Sequence, residues 1–216
     1  MGLQYTVTGG GVSANGEDFW ARSVAPADPI TPAFTGGDGT AYWAGRDLDA
    51  LPGGGGQLRR VELNNVSLSG YTGVTVSIQL AANTGVWDPV AAGDYLRIYA
   101  VNAVGGAATL LDEFHSFNGG TDTTLESTTF DNVQVNTVFR TFTYNVPVTI
   151  GTLRFRFEAA STGDLEWFGV DNVIISGTPV PEPASASLVA FGIALLAGAR
   201  RASLRQARRG ATITFP

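Results

Sequence analysis

Leu153-Arg154-Phe155-Arg156-Phe157-Glu158-Ala159, followed after Ser161-Thr162-Gly163-Asp164 by Trp167 to Ser176 (WFGVDNVIIS), is the stretch that decides the fold. Successive side chains of a strand point to opposite faces, so Leu153, Phe155 and Phe157 face one way and Arg154, Arg156 and Glu158 the other. That is a strand with one buried face. The same period of two recurs upstream, where Val74, Val76, Ile78 and Leu80 alternate with Thr75, Ser77 and Gln79. Asp94 to Val101 (DYLRIYAV) is apolar at nearly every position, as a central strand requires. Leu58 to Leu68 reads as a strand with Val61, Leu63 and Val66 inward, and Tyr5–Thr8, Thr109–Phe117 and Val138–Val146 read likewise. Phe34 to Leu48 (FTGGDGTAYWAGRDL) reads as a strand entering and leaving a structured loop. The stretch before Phe34, with Pro26, Pro29 and Pro32, reads as loose. Gly53 to Gly56 lacks the Lys and Ser/Thr of a phosphate-cradling loop and reads as a flexible linker. No helical period appears before Ala184. Eight or so short strands separated by Gly, Asn and Asp clusters predict an all-β domain over residues 1–178, a two-sheet antiparallel jelly-roll sandwich.

A different segment follows, over 179–209. Pro179, Pro181, Glu182 and Pro183 form a Pro-rich turn through which a sheet cannot continue. Next comes an uncharged run of 16 residues, 184–199, and then Arg200, Arg201, Arg205, Arg208 and Arg209. As a helix the run reaches about 24 Å, short of a hydrocarbon core of about 30 Å. Arginines at its end can snorkel and extend it, and they stay on the cytoplasmic side. A buried core helix with a solvated basic tail is the other reading; the Pro-rich punctuation and the arginine cluster favour a transmembrane helix with everything before Ala184 outside. Val180-Pro181-Glu182-Pro183, an apolar helix and terminal arginines together resemble the PEP-CTERM sorting signal of exported bacterial proteins. The resemblance implies recognition by an exosortase-type membrane protease that cuts near Pro-Glu-Pro, after transient anchoring in the inner membrane. Residues 210–216 (GATITFP) continue past the point where such signals usually stop.

Charge is split along the chain. Residues 1–183 hold all 19 acids against 8 arginines, net −11, while residues 184–216 hold 5 arginines and no acid. An acidic domain repels phosphate backbones, which argues against nucleic acid as a partner and suits divalent cations. The chain has no cysteine, so disulfides, thiolate chemistry and Cys-based zinc sites are excluded. Met1 to Gly11 has neither a positive n-region nor an apolar h-region, so an exported domain calls for a start further upstream.

Asp171-Asn172-Val173-Ile174-Ile175 is similar to the closing strand of galactose-binding-like jelly rolls and carbohydrate-binding modules. Calcium is the best-motivated ligand: hard cations take carboxylate and loop-carbonyl oxygens, and Asp38, Asp47 and Asp49 crowd a Gly-rich loop. The resemblance adds that a structural calcium would tie an early loop to the last strand, with Asp47 and Asp171 as leading ligands. Alternatively, these acids cap turns or pair with Arg46 or Arg22. Tyr42, Trp43 and Trp87 are candidates for stacking on sugar rings, against the alternative of core packing; Trp87 stands in a loop-like sequence, Asn83 to Pro89. Catalysis has little support: His115 is the single histidine, and no nucleophile-elbow pattern accompanies it. The expectation is an exported, non-enzymatic cell-surface or extracellular-matrix protein binding polysaccharide, with a secreted glycan-active hydrolase or a purely structural coat protein as alternatives.

Overall fold

The computed structural model describes residues 5–8, 11–12, 19–24, 34–38, 41–49, 51, 59–84, 86–89, 93–117, 124–147, 149–163 and 165–181. The chain divides into two compact units, 1–178 and 179–216. Of the second, only 179–181 are described; the expected helix 184–199, Glu182, Pro183 and the arginine cluster lie outside the described residues. Among the described residues no helix is long and apolar enough to cross a membrane.

The first unit is all-β. Its strands are β1 Tyr5–Thr8, β2 Gly11–Val12, β3 Phe19–Val24, β4 Ala41–Arg46, β5 Arg59–Leu63, β6 Val66–Ser67, β7 Tyr71–Ala82, β8 Tyr95–Asn102, β9 Ala108–His115, β10 Glu126–Ser127, β11 Arg140–Asn145, β12 Thr152–Ala160 and β13 Trp167–Pro179. They form two antiparallel sheets, ordered β1-β5-β12-β8-β9-β10 with β6 also on β12, and β11-β7-β13-β4-β3-β2. From β4 to β8 the chain changes sheet at β5, β7 and β8, and it does so again from β11 through β12 to β13.

The core forms where the alternation points. Val61, Leu96, Ile98, Leu153, Phe155 and Phe157 of one sheet meet Val76, Ile78, Leu80, Phe142, Phe168 and Val170 of the other. Each such side chain contributes about 1.5–3 kcal/mol by leaving water. The complementary residues stay outside: Ser77 Oγ lies 2.8 Å from Thr143 Oγ1, and Arg156 Nε donates to Glu62 Oε1 at 2.7 Å. The expected strand over 58–68 is two strands, broken at Asn64-Asn65. β3 lies in the stretch read as loose: its Trp20, 1% exposed on a strand paired with β4, is followed two residues on by the exposed Arg22, so no apolar period of two announces it.

Two further features hold the sandwich. Asp112 is buried and accepts hydrogen bonds from Ser127 Oγ (2.6 Å), Tyr144 O–H (3.0 Å) and the Thr129 N–H (3.1 Å), joining β9 to β11 of the other sheet. Burial and this neighbouring carboxylate push the Tyr144 phenol well above its usual value. The second feature is a smaller core on the outer face of the second sheet, built from Phe34, Tyr42, Ala44, Ala81 and Phe139. Phe34, Tyr42 and Phe139 meet edge to face with centroids 5.4–5.8 Å apart. Their floor must be small: a Cβ on Gly169 would stand 2.9 Å from both Phe34 and Phe139. Gly169→Ala is therefore expected to cost about 1–3 kcal/mol through overpacking; an unchanged urea midpoint would contradict this packing account.

Candidate functional site

A cleft of about 530 Å³ opens where β1 and β5 part from β3, β4 and β13. Alternation puts Val61, Leu63 and Phe157 on its floor, and Trp43 and Val170 on the opposing wall. Three aromatic rings step inward from solvent. Tyr5, 45% exposed, meets Trp43 edge to face at 5.5 Å, and Trp43 meets the buried Trp20 at 5.6 Å. The Trp43 indole N–H is buried and has no hydrogen-bond partner among the described residues. Arg22, Asp171 and Asn172 add polar groups to the lining. Asp171 Oδ2 accepts from the Asp38 N–H at 2.9 Å and Oδ1 from the Asn172 N–H at 2.8 Å. Burial raises the Asp171 carboxyl above the usual range, and the two N–H groups oppose that shift. Asn172 has φ 46, a left-handed kink that reorients β13 at the cleft. An apolar slot rimmed by aromatic and hydrogen-bonding groups can take a ligand with both C–H faces and hydroxyls.

The sequence-derived residues are distributed unevenly. Tyr42 and Trp43 reach the cleft, with Tyr42 largely committed to the smaller core. Trp87 does lie outside the strands, but its ring is 1% exposed in the main core and its N–H donates to the Asn83 carbonyl at 2.8 Å. It offers no stacking face, because the loop folds its one large apolar side chain inward. The four aspartates fall at two ends of β4, roughly 20 Å of extended chain. Asp38 and Asp171 meet at the start of β4. Asp47 and Asp49 follow its end, where the Leu48 N–H donates to Ser161 Oγ at 3.1 Å.

The acids that gather are ones the sequence does not single out. Asp88, Asp94 and Glu166 bring one carboxylate oxygen each to within 4.8 Å of one another. Asp94 precedes β8 and Glu166 precedes β13; both are buried, whereas Asp88 is exposed. Asp94 Oδ2 accepts from the Asp88 N–H (2.7 Å), and Oδ1 from the Thr162 N–H and hydroxyl (both 3.0 Å). Glu166 Oε2 accepts from the Thr162 and Gly163 N–H groups at 2.7 and 2.6 Å. Burial, and next the hydrogen bond with Asp94, push Glu166 up to about 8; burial likewise raises Asp94. Burial thus favours a proton on this pair of carboxyls. An all-oxygen set of this kind fits a hard divalent cation. Only their meeting in space reveals it, since 72 residues separate Asp94 from Glu166.

Trp87 and Asp94 aside, the tail has its own signature. Residues 179–206 match the PEP-CTERM protein-sorting motif. No curated protein matches the chain. Among solved structures, the K3 cleaved adhesin domain of Lys-gingipain from Porphyromonas gingivalis W83 is 17% identical at a TM-score of 0.44, over 73% of this chain and 90% of that one. TmCBM61, solved in complex with beta-1,4-galactotriose, is 12% identical at 0.42, over 81% of this chain and 88% of that one. The family 11 carbohydrate-binding module of the cellulosomal cellulase Lic26A-Cel5E of Clostridium thermocellum is 10% identical at 0.35, over 82% and 85%. The motif at 179–206 indicates an exported protein handled by the membrane-associated exosortase.

Proposed function

We propose that this is a non-enzymatic protein of the cell surface or extracellular matrix, whose jelly-roll sandwich binds exopolysaccharide or a related glycan in the Tyr5–Trp43 cleft. The observation that carries the reading is the half-exposed Tyr5 ring set against Trp43, beside Arg22, Asp171 and Asn172. Indole and phenol rings stack on the apolar C–H faces of a pyranose, and the flanking charged and amide groups bond its hydroxyls. The alternation of consecutive strands between the sheets supports the jelly-roll reading. His115, engaged with Glu113 Oε1 at 3.0 Å, does not line the cleft, which supports binding over turnover. The run 184–199 anchors the chain transiently in the inner membrane until an exosortase-type protease acts near Pro181-Glu182-Pro183.

Calcium belongs in this reading at Asp88, Asp94 and Glu166, where it would take the place of that proton and tie the 86–94 and 161–166 segments together. Asp38 and Asp171 already join an early loop to the last strand through a direct hydrogen bond.

Three outcomes test the proposal. A glycan array should find a ligand, and Tyr5→Ala should weaken its titrated affinity about tenfold, the equivalent of one lost aromatic contact. No ligand, or equal affinity in the variant, would reject the cleft; reducing-sugar release lost in Asp171→Asn would replace the module with an enzyme. Deleting Pro181 to Pro183 should alter the size or location of the mature protein, and an unchanged distribution removes the sorting step.

The third concerns pH and metal. Glu166 keeps in the folded protein, up to about pH 8, a proton that an ordinary carboxyl near 4.5 gives up. The unfolded chain therefore binds fewer protons across that window, and stability falls as pH rises through it; Asp94 and Asp171, also raised, act in the same sense. Without divalent cations, Tm should be lower at pH 8 than at pH 5, and calcium should raise it by a few degrees, more at pH 8 than at pH 5. Glu166→Gln should flatten the pH slope and abolish the calcium response. A response that survives this change would move the ion elsewhere.

A further inference from the structure

At the far end of β13 from Glu166, the sandwich has a second opening of about 640 Å³. Val66 and Leu68 line it from one side, Tyr71 and Val74 from β7, and Val173 to Gly177 from β13. Among the described residues no charged one lines it, although residues 1–183 carry a net charge of −11. Two of the large apolar side chains left exposed on this domain stand here: Tyr71 at 49% and Ile174 at 47%. A mouth this apolar on a strongly acidic domain is a place from which acids are missing, and Tyr at its rim is the aromatic residue suited to a lipid–water interface.

The length of chain beyond the mouth limits what can face it. Six residues separate Thr178 from Ala184, so the uncharged run begins within about 21 Å of the end of the domain. We infer that the Tyr71–Ile174 mouth seats the domain on the outer surface of the bilayer while the chain is anchored. This inference rests on the reading that 184–199 anchors the chain. An uncharged rim avoids the repulsion that an acidic one would meet from anionic headgroups, and Tyr71 and Ile174 gain burial against the acyl boundary.

The absence of cysteine makes the test clean. The full chain carrying Ser176→Cys, or Leu165→Cys as a control, is labelled with NBD and reconstituted with vesicles of phosphatidylethanolamine and phosphatidylglycerol. Leu165 is 60% exposed and lies before the opposite end of β13 from Ser176, at most about 36 Å away. With nitroxide-labelled lipid present, the label at 176 should lose most of its emission and the label at 165 should keep it. Adding Tyr71→Ser and Ile174→Ser should restore the emission at 176 without changing flotation of the protein with the vesicles. An unquenched label at 176 on protein that floats overturns the seating but leaves the anchor. Failure to float overturns both. Cross-linking between 176 positions of two copies, without lipid quenching, overturns it in favour of a second copy as the occupant.

Discussion

The backbone pairing of β13 between β4 and β7 is the constraint on which the other features of this chain depend. An inner strand spends its hydrogen bonds on both sides, so its side chains have fixed addresses. Glu166 stands just before it, Val170 to Val173 wall the aromatic cleft, and Ile174 to Gly177 line the second mouth. Gly169 leaves room above the strand for Phe34 and Phe139. The kink at Asn172 divides the strand: before it β13 pairs with β4 through Val170, and after it the side chains serve the open end of the sandwich.

How the domain handles its acids follows from where they lie. On the exposed sheet face, Glu62 is within 3.7 Å of the guanidinium nitrogens of Arg60, Arg154 and Arg156. Such half-exposed pairs set side-chain orientation more than they stabilise. Among the described residues no arginine pairs with the buried Asp94 and Asp112 or the half-buried Asp171; backbone N–H groups and hydroxyls of neighbouring loops carry them. A carboxylate satisfied by loop donors orders those loops, and in a chain without disulfides that ordering falls to hydrogen bonds and the core. The cluster of Asp88, Asp94 and Glu166 goes furthest in this direction, because its charge needs a proton or a cation to balance it.

Those parts of the fold that depend on local period were legible in the sequence. Leu153 to Ala159 and Val74 to Leu80 announce their faces, and both lie where alternation puts them. What was not legible depends on contacts between distant segments. Ala44, Ala81 and Gly169 look unremarkable along the chain, yet together they make the flat floor that a second layer of rings needs. Trp87 sits in a loop sequence and still enters the core, because position outside a strand says nothing about which way a large apolar ring turns. The strands of two residues, β2, β6 and β10, carry no period at all. The aspartates flanking β4 were visible as a cluster in sequence, but six extended residues between them are enough to send them to opposite ends of the sheet.

The junction with the sorting motif follows from the same backbone accounting. β13 stays ordered to its last residues, with the Thr178 carbonyl accepting from the Thr72 hydroxyl at 3.4 Å. Beyond it, Pro179, Pro181 and Pro183 remove three of the next five N–H donors, so strand pairing cannot propagate into the motif. On the proposed processing, the residues a protease would draw into an extended conformation are the first ones the sheet cannot hold. Val180 and Pro181 are exposed there. The prolines therefore end the sheet by removing its donors, without any loosening of the domain itself.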